Sequence, residues 1–357
     1  MGDPPFSSLF EWALYLSSKA YRLAVRLRIL LYQEGFIRQK GLPSRVLSVG
    51  NITAGGTGKT PMVEHVASLL RRFQLDVAII SRGYGGTAQR SGGVVSNGKA
   101  QLLGAVASGD EPQVLCSRLE GVPLLIGKDR YRVGREAVER FGSSVLVLDD
   151  AFQHLPLKRD LDLLLLDSDR PFGNGYCIPR GMLREPVEQI KRASAFILTR
   201  WTGDAHQRAW RSVIEARADD RPIFRCRHVP DKLFVAGTTE MLDLDYLKGE
   251  RLFLFSGIVR NDSFLKTVSG LGGSVAGFLE FPDHHRYSDN DLNHIWNRAK
   301  ALKVQSVITT EKDYMNILKQ IPPGLPLLVL GITISFGEDS EAFESFIGRW
   351  ISSSSSF

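Results

Sequence analysis

Cysteine is scarce in this chain. The three copies, Cys116, Cys177 and Cys226, are far apart and odd in number. That argues for a reducing compartment and against a metal knuckle, so the thiols read as buried structural groups. Hydrophobic runs that would cross a bilayer are also missing near the N-terminus. The longest uncharged run there, Trp12–Ser18, is about a third of the ~20 residues a spanning helix needs. No small-residue cleavage site follows it, so a secretory signal is not expected. Nor is there a Lys/Arg-rich run with interleaved aromatics, so nucleic acid is not an expected partner. The formal charge of +6 still suits anionic lipid or a phosphorylated substrate. Internal repeats are absent.

What is present is a globular composition, 43% hydrophobic and 24% charged. The 357 residues suffice for two domains, at about 100–200 residues each. The chain is organised around Leu47–Pro61, an apolar strand running into a glycine-rich turn, Lys-Thr and a helix. That order is a phosphate-binding P-loop. Gly55, Gly56 and Gly58 let the backbone approach a phosphate closely. The N–H groups from Thr53, Ala54, Gly55, Gly56, Thr57, Gly58, Lys59 and Thr60, with the helix N-terminus, form the candidate nucleotide site. Lys59 can reach the β- and γ-phosphates, and the Thr60 hydroxyl can ligate Mg²⁺. Thr53 stands where the first glycine of the plain pattern is expected.

Strands alternate with helices through the rest of the first half. Strands are expected at 45–50, 77–81, 124–127, 145–150, 161–167 and 196–199. Helices are expected at 61–73, from Gly109-Asp110-Glu111-Pro112 onward, and at 130–141, while 87–105 reads as loop with short hairpin pieces. The alternation predicts an α/β fold, a P-loop NTPase with a doubly wound, mainly parallel sheet. A polar stretch at 203–220 marks the expected boundary. Beyond it, strands at 223–229, 252–256, 275–281, 306–309 and 327–332 alternate with helices at 262–270, 289–302 and 311–319. The expected organisation is a helix within 1–40, a nucleotide-binding domain at 41–218, and a smaller α/β domain at 219–350 closing the active-site cleft. The tail Ser352–Ser356 is of low complexity.

Residues 6–34 read as one amphipathic helix. Lys19, Arg22 and Arg26 share one face, and Phe10, Ala13, Leu14, Tyr21, Ala24 and Leu31 lie opposite, although Arg28 interrupts the apolar side. Two partners fit such a helix: a membrane surface and the protein's own core.

Val145–Asp150 is the natural companion of the loop, an apolar strand ending in Asp149 and Asp150, where a carboxylate can hold Mg²⁺. Gln153 and His154 follow at once. Asp110-Glu111 and Asp283-His284-His285 are candidate acid–base groups or solvated surface residues. A His–carboxylate pair, one from each domain, can accept a hydroxyl proton in a cleft between them. The second cluster also resembles a metal-ligand set, but no matching His or Cys group accompanies it. The loop 180–186 places Arg184 and Glu185 where a phosphate or hydroxyls can bind, or forms a charged surface turn.

Taken together, these motifs resemble one family, the tetraacyldisaccharide 4′-kinases of lipid A biosynthesis. The ordered matches are Gly50–Pro61, Ser81–Gly86, Gly109–Pro112, Leu148–His154, Pro179–Pro186, Phe281–His284 with Tyr287, and Thr310-Glu311-Lys312-Asp313. Thr53 is itself characteristic of that family. The resemblance implies an ATP- and Mg²⁺-dependent kinase acting on the 4′-hydroxyl of an acylated glucosamine disaccharide 1-phosphate to give lipid IVA. It implies Asp110 and His284 as the catalytic pair, with His284 as direct acceptor in one version and Asp110 in the other. Thr60, Glu111, Asp149 and Asp150 would serve the metal. Gln153, His154, Arg184 and Glu185 would contact the acceptor. The N-terminal helix would hold the protein on the cytoplasmic face of a bacterial inner membrane, or on an organellar membrane in a plant or alga. Ala151 replaces a usual Gly and Met182 a usual Pro, and Ser256–Asp262 lacks the Gly-x-Pro character usual after Gly-Ile.

The rival class is a membrane-peripheral P-loop ATPase acting as a partner-binding switch. Such ATPases carry a second Lys near the loop start, where this chain has Thr53 and Ala54. Thr310–Asp313 has the wrong spacing for a guanine reader.

Overall fold

Every residue of Arg45–Asn51 after the first is buried, as a strand covered on both faces by helices requires. It is the first of fourteen strands among the described residues: β1 (Arg45–Asn51), β2 (Val77–Ser81), β3 (Gly93–Asn97), β4 (Pro123–Ile126), β5 (Val145–Asp149), β6 (Leu161–Asp167), β7 (Ala195–Thr199), β8 (Ile223–Arg225), β9 (Arg227–Val235), β10 (Met241–Leu242), β11 (Arg251–Ser256), β12 (Ser274–Glu280), β13 (Ser306–Thr310) and β14 (Leu327–Ser335). The computed structural model describes residues 8–203, 207–218, 220–318 and 320–353. Parts of four expectations lie outside them: residues 6 and 7 of the first helix, 204–206 and 219 of the polar stretch, 319 of the last expected helix, and the tail from 354.

The chain divides into two units, Met1–Arg82 with Asp129–Arg227 and Ser335–Phe357, and Gly83–Lys128 with His228–Ile334. The expected boundary is near 218, and the chain passes from the first unit to the second after Arg227. Residues 83–128, expected within the nucleotide-binding domain, belong instead to the second unit, and the chain's end returns to the first.

In the first unit the strands lie in the order β2-β5-β1-β6-β7-β8, each pair parallel. The chain winds outward from β1 in both directions, so the sheet has a switch point beyond the C-terminal end of β1. Register sets Val49 of β1 opposite Asp149 of β5, which brings the acids to the loop after β1. Helices Lys59–Arg72 and Arg130–Phe141 pack on this sheet. A helix at Ser340–Ser352, not foreseen from the sequence, buries Phe343 and Ile347. Phe343 stacks on Phe336 at 4.1 Å.

The first helix, Leu9–Gln33, is docked along one side. Ser18 Oγ donates to Cys177 O at 2.7 Å, Tyr21 OH donates to Arg184 O at 3.0 Å, and Ile29 is buried. Arg22 and Arg26 both reach Glu188, at 2.6 and 3.1 Å. The side left exposed is apolar: Leu9, Trp12, Leu16, Leu23, Leu27 and Leu30, at the 3- and 4-residue spacing of one helix face. The helix therefore packs on the protein and also presents an apolar stripe. Among the described residues no helix is long and apolar enough to cross a membrane.

In the second unit a six-stranded sheet runs β10-β9-β14-β13-β11-β12. Its β14-β13, β13-β11 and β11-β12 pairs are parallel, and β10-β9 is antiparallel. Phe253, Phe255, Ile295, Trp296 and Val307 share its core. The stretch 87–105, expected as loop with short hairpin pieces, contains β3, which pairs antiparallel with β4.

Candidate active site

The turn after β1 is shaped for an anion. Gly58 sits at φ 83° and precedes helix Lys59–Arg72, whose first turn has no side-chain cap. Its leading N–H groups therefore point forward uncapped, the usual way a helix offers itself to phosphate. Thr57 Oγ1 is buried without a hydrogen-bond partner, another group a ligand can satisfy. The Lys59 ammonium lies 3.8 Å from Asp150 Oδ1. Asp149 is buried and accepts from Ser81 Oγ at 2.9 Å. Burial pushes the Asp150 carboxyl up, but Lys59 and Arg184 outweigh it and hold the group below its ordinary value, ionised.

The loop 179–186 supports this turn from behind. Ala54 N donates to Met182 O at 2.6 Å and Arg184 N to Ile52 O at 2.8 Å, around a bridge between Thr53 and Leu183. Its charged side chains turn to groups of the protein itself. Arg184 Nη1 binds both oxygens of Asp150, at 2.8 and 2.9 Å. Glu185 is 1% exposed and ion-paired with Arg192, so its carboxylate is turned into the protein. Gln153 Nε2 donates to Asn51 O at 2.9 Å, fixing the turn. Burial, with Arg130 and Arg159 nearby, pulls His154 down to about 4, so its ring is neutral at pH 7.

Asp110 and His284 meet within the second unit, and not from two separate domains as the sequence suggests. Asp110 opens helix Asp110–Arg118 behind Gly109, whose φ is 87°. A Cβ at Gly109 would lie 2.3 Å from Tyr84 O, so only glycine lets the helix start here. His284 occupies the left-handed region at φ 59°, an uncommon state for a non-glycine residue. Nδ1 of the ring lies 3.3 Å from Asp110 Oδ2. Nε2 is 3.4 Å from Lys312 Nζ and 3.5 Å from Asp283 Oδ2. Burial pushes the Asp110 carboxyl up, but hydrogen bonds from His284 and Asn316 win and bring it below its ordinary value. The bond to Asp110 raises His284, against burial and Lys312. His285 is turned away, stacked on Phe281 and 3.2 Å from Asp291.

All four residues of Thr310–Asp313 are engaged. Thr310 caps helix Glu311–Ile317. Glu311 pairs with Arg118, the last residue of the Asp110 helix, and with Lys232 at 2.7 Å. Asp313, almost fully buried, accepts from Gly257 N and Tyr287 OH at 3.0 and 2.9 Å. Lys312 reaches Asp283 at 2.6 Å. The sequence alone assigns no role to Lys312, to Asn316 or to Arg200, which follows β7 and donates to Gly56 O at 2.8 Å. A basic residue one past a buried strand was the available signal for Arg200.

Of the candidate metal groups, Thr60, Asp149 and Asp150 belong to the first unit and Glu111 to the second. Among the described residues no group of three or more His, Cys, Asp or Glu is arranged to hold a metal alone. Mg²⁺ in phosphoryl-transfer sites takes one or two carboxylates with phosphates and water, which suits the hydroxyl and acids found beside the loop.

A profile of the family described as tetraacyldisaccharide-1-P 4′-kinase (LpxK) matches residues 10–352. The chain is 44% identical over 343 residues to the tetraacyldisaccharide 4′-kinase of Desulfatibacillum aliphaticivorans, covering 94% of this chain and 91% of that one. It is 40% identical over 353 residues to that of Syntrophus aciditrophicus, covering 96% and 92%. The LpxK of Aquifex aeolicus, solved in complex with ATP, superposes with a TM-score of 0.76 at 30% identity, over 96% of this chain and 99% of that one.

Proposed function

The chain belongs to the tetraacyldisaccharide-1-P 4′-kinase family, and from that premise we propose that it transfers the γ-phosphoryl group of ATP to the 4′-hydroxyl of a tetraacyldisaccharide 1-phosphate, giving lipid IVA. The observation that carries this reading is the pairing of the uncapped loop with Lys59 and an ionised Asp150. In the reaction the hydroxyl oxygen bonds to the γ-phosphorus, the bond to the β-phosphate oxygen breaks, and ADP leaves. Lys59 and the loop N–H groups bind the triphosphate and stabilise charge building on the transferred group. Thr60 and the Asp149–Asp150 pair are the groups that would hold Mg²⁺, whose charge would offset that on the phosphoryl oxygens.

The hydroxyl proton goes to the Asp110–His284 pair. What supports Asp110 as direct acceptor, the less favoured order at the level of sequence, is the occupation of the ring. Nδ1 of His284 faces Asp110 and Nε2 faces Lys312 and Asp283, so neither nitrogen is turned to an incoming alcohol. His284 then orients the carboxylate. The outward apolar stripe of helix Leu9–Gln33 supports a membrane surface as the place where the lipid is met. A partner-binding switch needs no such acid–base pair. The test is direct: protein, ATP, Mg²⁺ and the disaccharide 1-phosphate lipid are incubated, and the lipid is expected to gain the mass of one phosphate. Hydrolysis of ATP with no change in the lipid would favour the switch.

A further inference from the structure

The Thr310–Asp313 run contains one side chain that faces the acid–base pair, Lys312. We infer that Lys312 is a positioning residue for the acid–base pair: its ammonium faces Nε2 of His284, keeps the lone pair there, and so holds the ring hydrogen on Nδ1, toward Asp110. The inference rests on the assignment of Asp110 and His284 made above.

The geometry contains a problem that Lys312 solves. His284 has a carboxylate at each nitrogen, Asp110 at 3.3 Å from Nδ1 and Asp283 at 3.5 Å from Nε2. An imidazole between two carboxylates is favoured as the doubly protonated cation. In that state it would draw the charge of Asp110 and weaken it as a base. Lys312 lies on the Asp283 carboxylate at 2.6 Å and also 3.4 Å from Nε2. It neutralises the second carboxylate and sets a positive charge beside the ring, so it pushes the ring toward its neutral form against the pull of Asp110. Helix Glu311–Ile317 fixes Lys312 firmly. Its cap is Thr310, and its neighbours Glu311 and Asp313 are both buried and paired. The same helix carries Asn316, which bonds Asp110.

The charged and titratable groups facing the ring are few. Asp110 and Glu111 come from helix Asp110–Arg118, Lys312 from helix Glu311–Ile317, and Asp283 from the ring's own loop. The Tyr84 ring is 5.8 Å away. Arg286 is directed to Gly85 O at 2.9 Å.

The test follows the His284 ring by long-range ¹H–¹⁵N correlation spectra across pH, in the full chain, beside kcat profiles. In Lys312→Met the ring is expected to stay protonated to a pH higher by about one unit or more, and the acid limb of kcat should move with it. Lys312→Arg should restore both, and Asp283→Asn should shift the ring the opposite way. Lys312→Gln, with similar length and no charge, serves if the Met variant does not fold. An unmoved ring midpoint in a folded, charge-free variant overturns the inference. A ring that moves while the acid limb stays supports the positioning of the ring and overturns the assignment of the pair to proton transfer.

Discussion

One nitrogen of Arg184, Nη1, lies 2.8 and 2.9 Å from the two carboxylate oxygens of Asp150. This contact sets the arginine against the same carboxylate that Lys59 faces, although the loop that carries it reads as an acceptor-binding loop. Arg184→Met is expected to raise the KM for MgATP by about 10–100-fold, the worth of a charge-assisted contact, with little change in the KM for the lipid. Its backbone bond to Ile52 O does not depend on the side chain, so the loop should stay in place. A rise confined to the lipid KM would return Arg184 to the acceptor. Lys59→Ala, by contrast, should lower kcat itself by about 10²–10³-fold, as loss of a transition-state clamp does.

Asp110 and His284 share one hydrogen bond and should behave as one unit. Asp110→Asn and His284→Ala are each expected to lower kcat by about 10²–10⁴-fold. The double variant should be little worse than the poorer single, because each single change already dismantles the pair. Nucleotide affinity should barely change. His285→Ala should be far milder, since its ring faces Asp291 and Phe281. Losses that multiply in the double variant would mean that the two groups act independently.

The sequence made some of this site readable because the chemistry there is local. A loop, a lysine and a helix start are contiguous, and an apolar strand ending in acids declares its own burial. What depends on distant packing was not readable. Residues 83–128 look like one more α/β excursion, and only their contacts assign them to the second unit. Lys312 sits between two acids in the chain and reads as a solvated charge, until Asp283 and His284 are seen beside it. Glu185 reads as a ligand-facing acid because nothing local announces Arg192. The first helix is apolar on more than one side, so its sequence did not say which side faces out. Arg22 and Arg26 turn inward to Glu188, and the exposed stripe is leucine-rich.

His65 should give the fold a pH dependence of its own. Its ring lies 5.2 Å from Phe336 and 6.0 Å from Phe343. Burial, aided by Arg72, lowers it from 6.5 to about 4. The unfolded chain therefore binds the proton more readily, and stability is present above 6.5 and lost as pH falls toward 4. A shift of that size is on the order of 3 kcal/mol at most. His154 acts in the same direction. Urea midpoints measured from pH 7 to 4.5 should fall, and His65→Leu should flatten part of that slope. An unchanged slope in His65→Leu would place the dependence elsewhere.

The outward stripe of helix Leu9–Gln33 sets the last expectation. Leu23 and Leu27 are 69% and 55% exposed, while the inner side of the same helix is engaged through Ser18, Tyr21, Arg22 and Arg26. Changing the outer residues therefore leaves the docking contacts intact. Each leucine removed from a bilayer loses ~1.5–3 kcal/mol of burial. Leu23→Glu with Leu27→Glu should then weaken binding to vesicles of mixed neutral and anionic phospholipid by at least about 100-fold. With acceptor held in vesicles the KM for lipid should rise, and with acceptor in detergent micelles kcat should remain near that of the parent chain, because both residues are exposed on the outer face of the helix. Arg22→Ala should do the reverse, loosening the helix from Glu188 while leaving the apolar stripe whole. Vesicle co-sedimentation unchanged in the double Glu variant would show that the stripe meets something other than a bilayer.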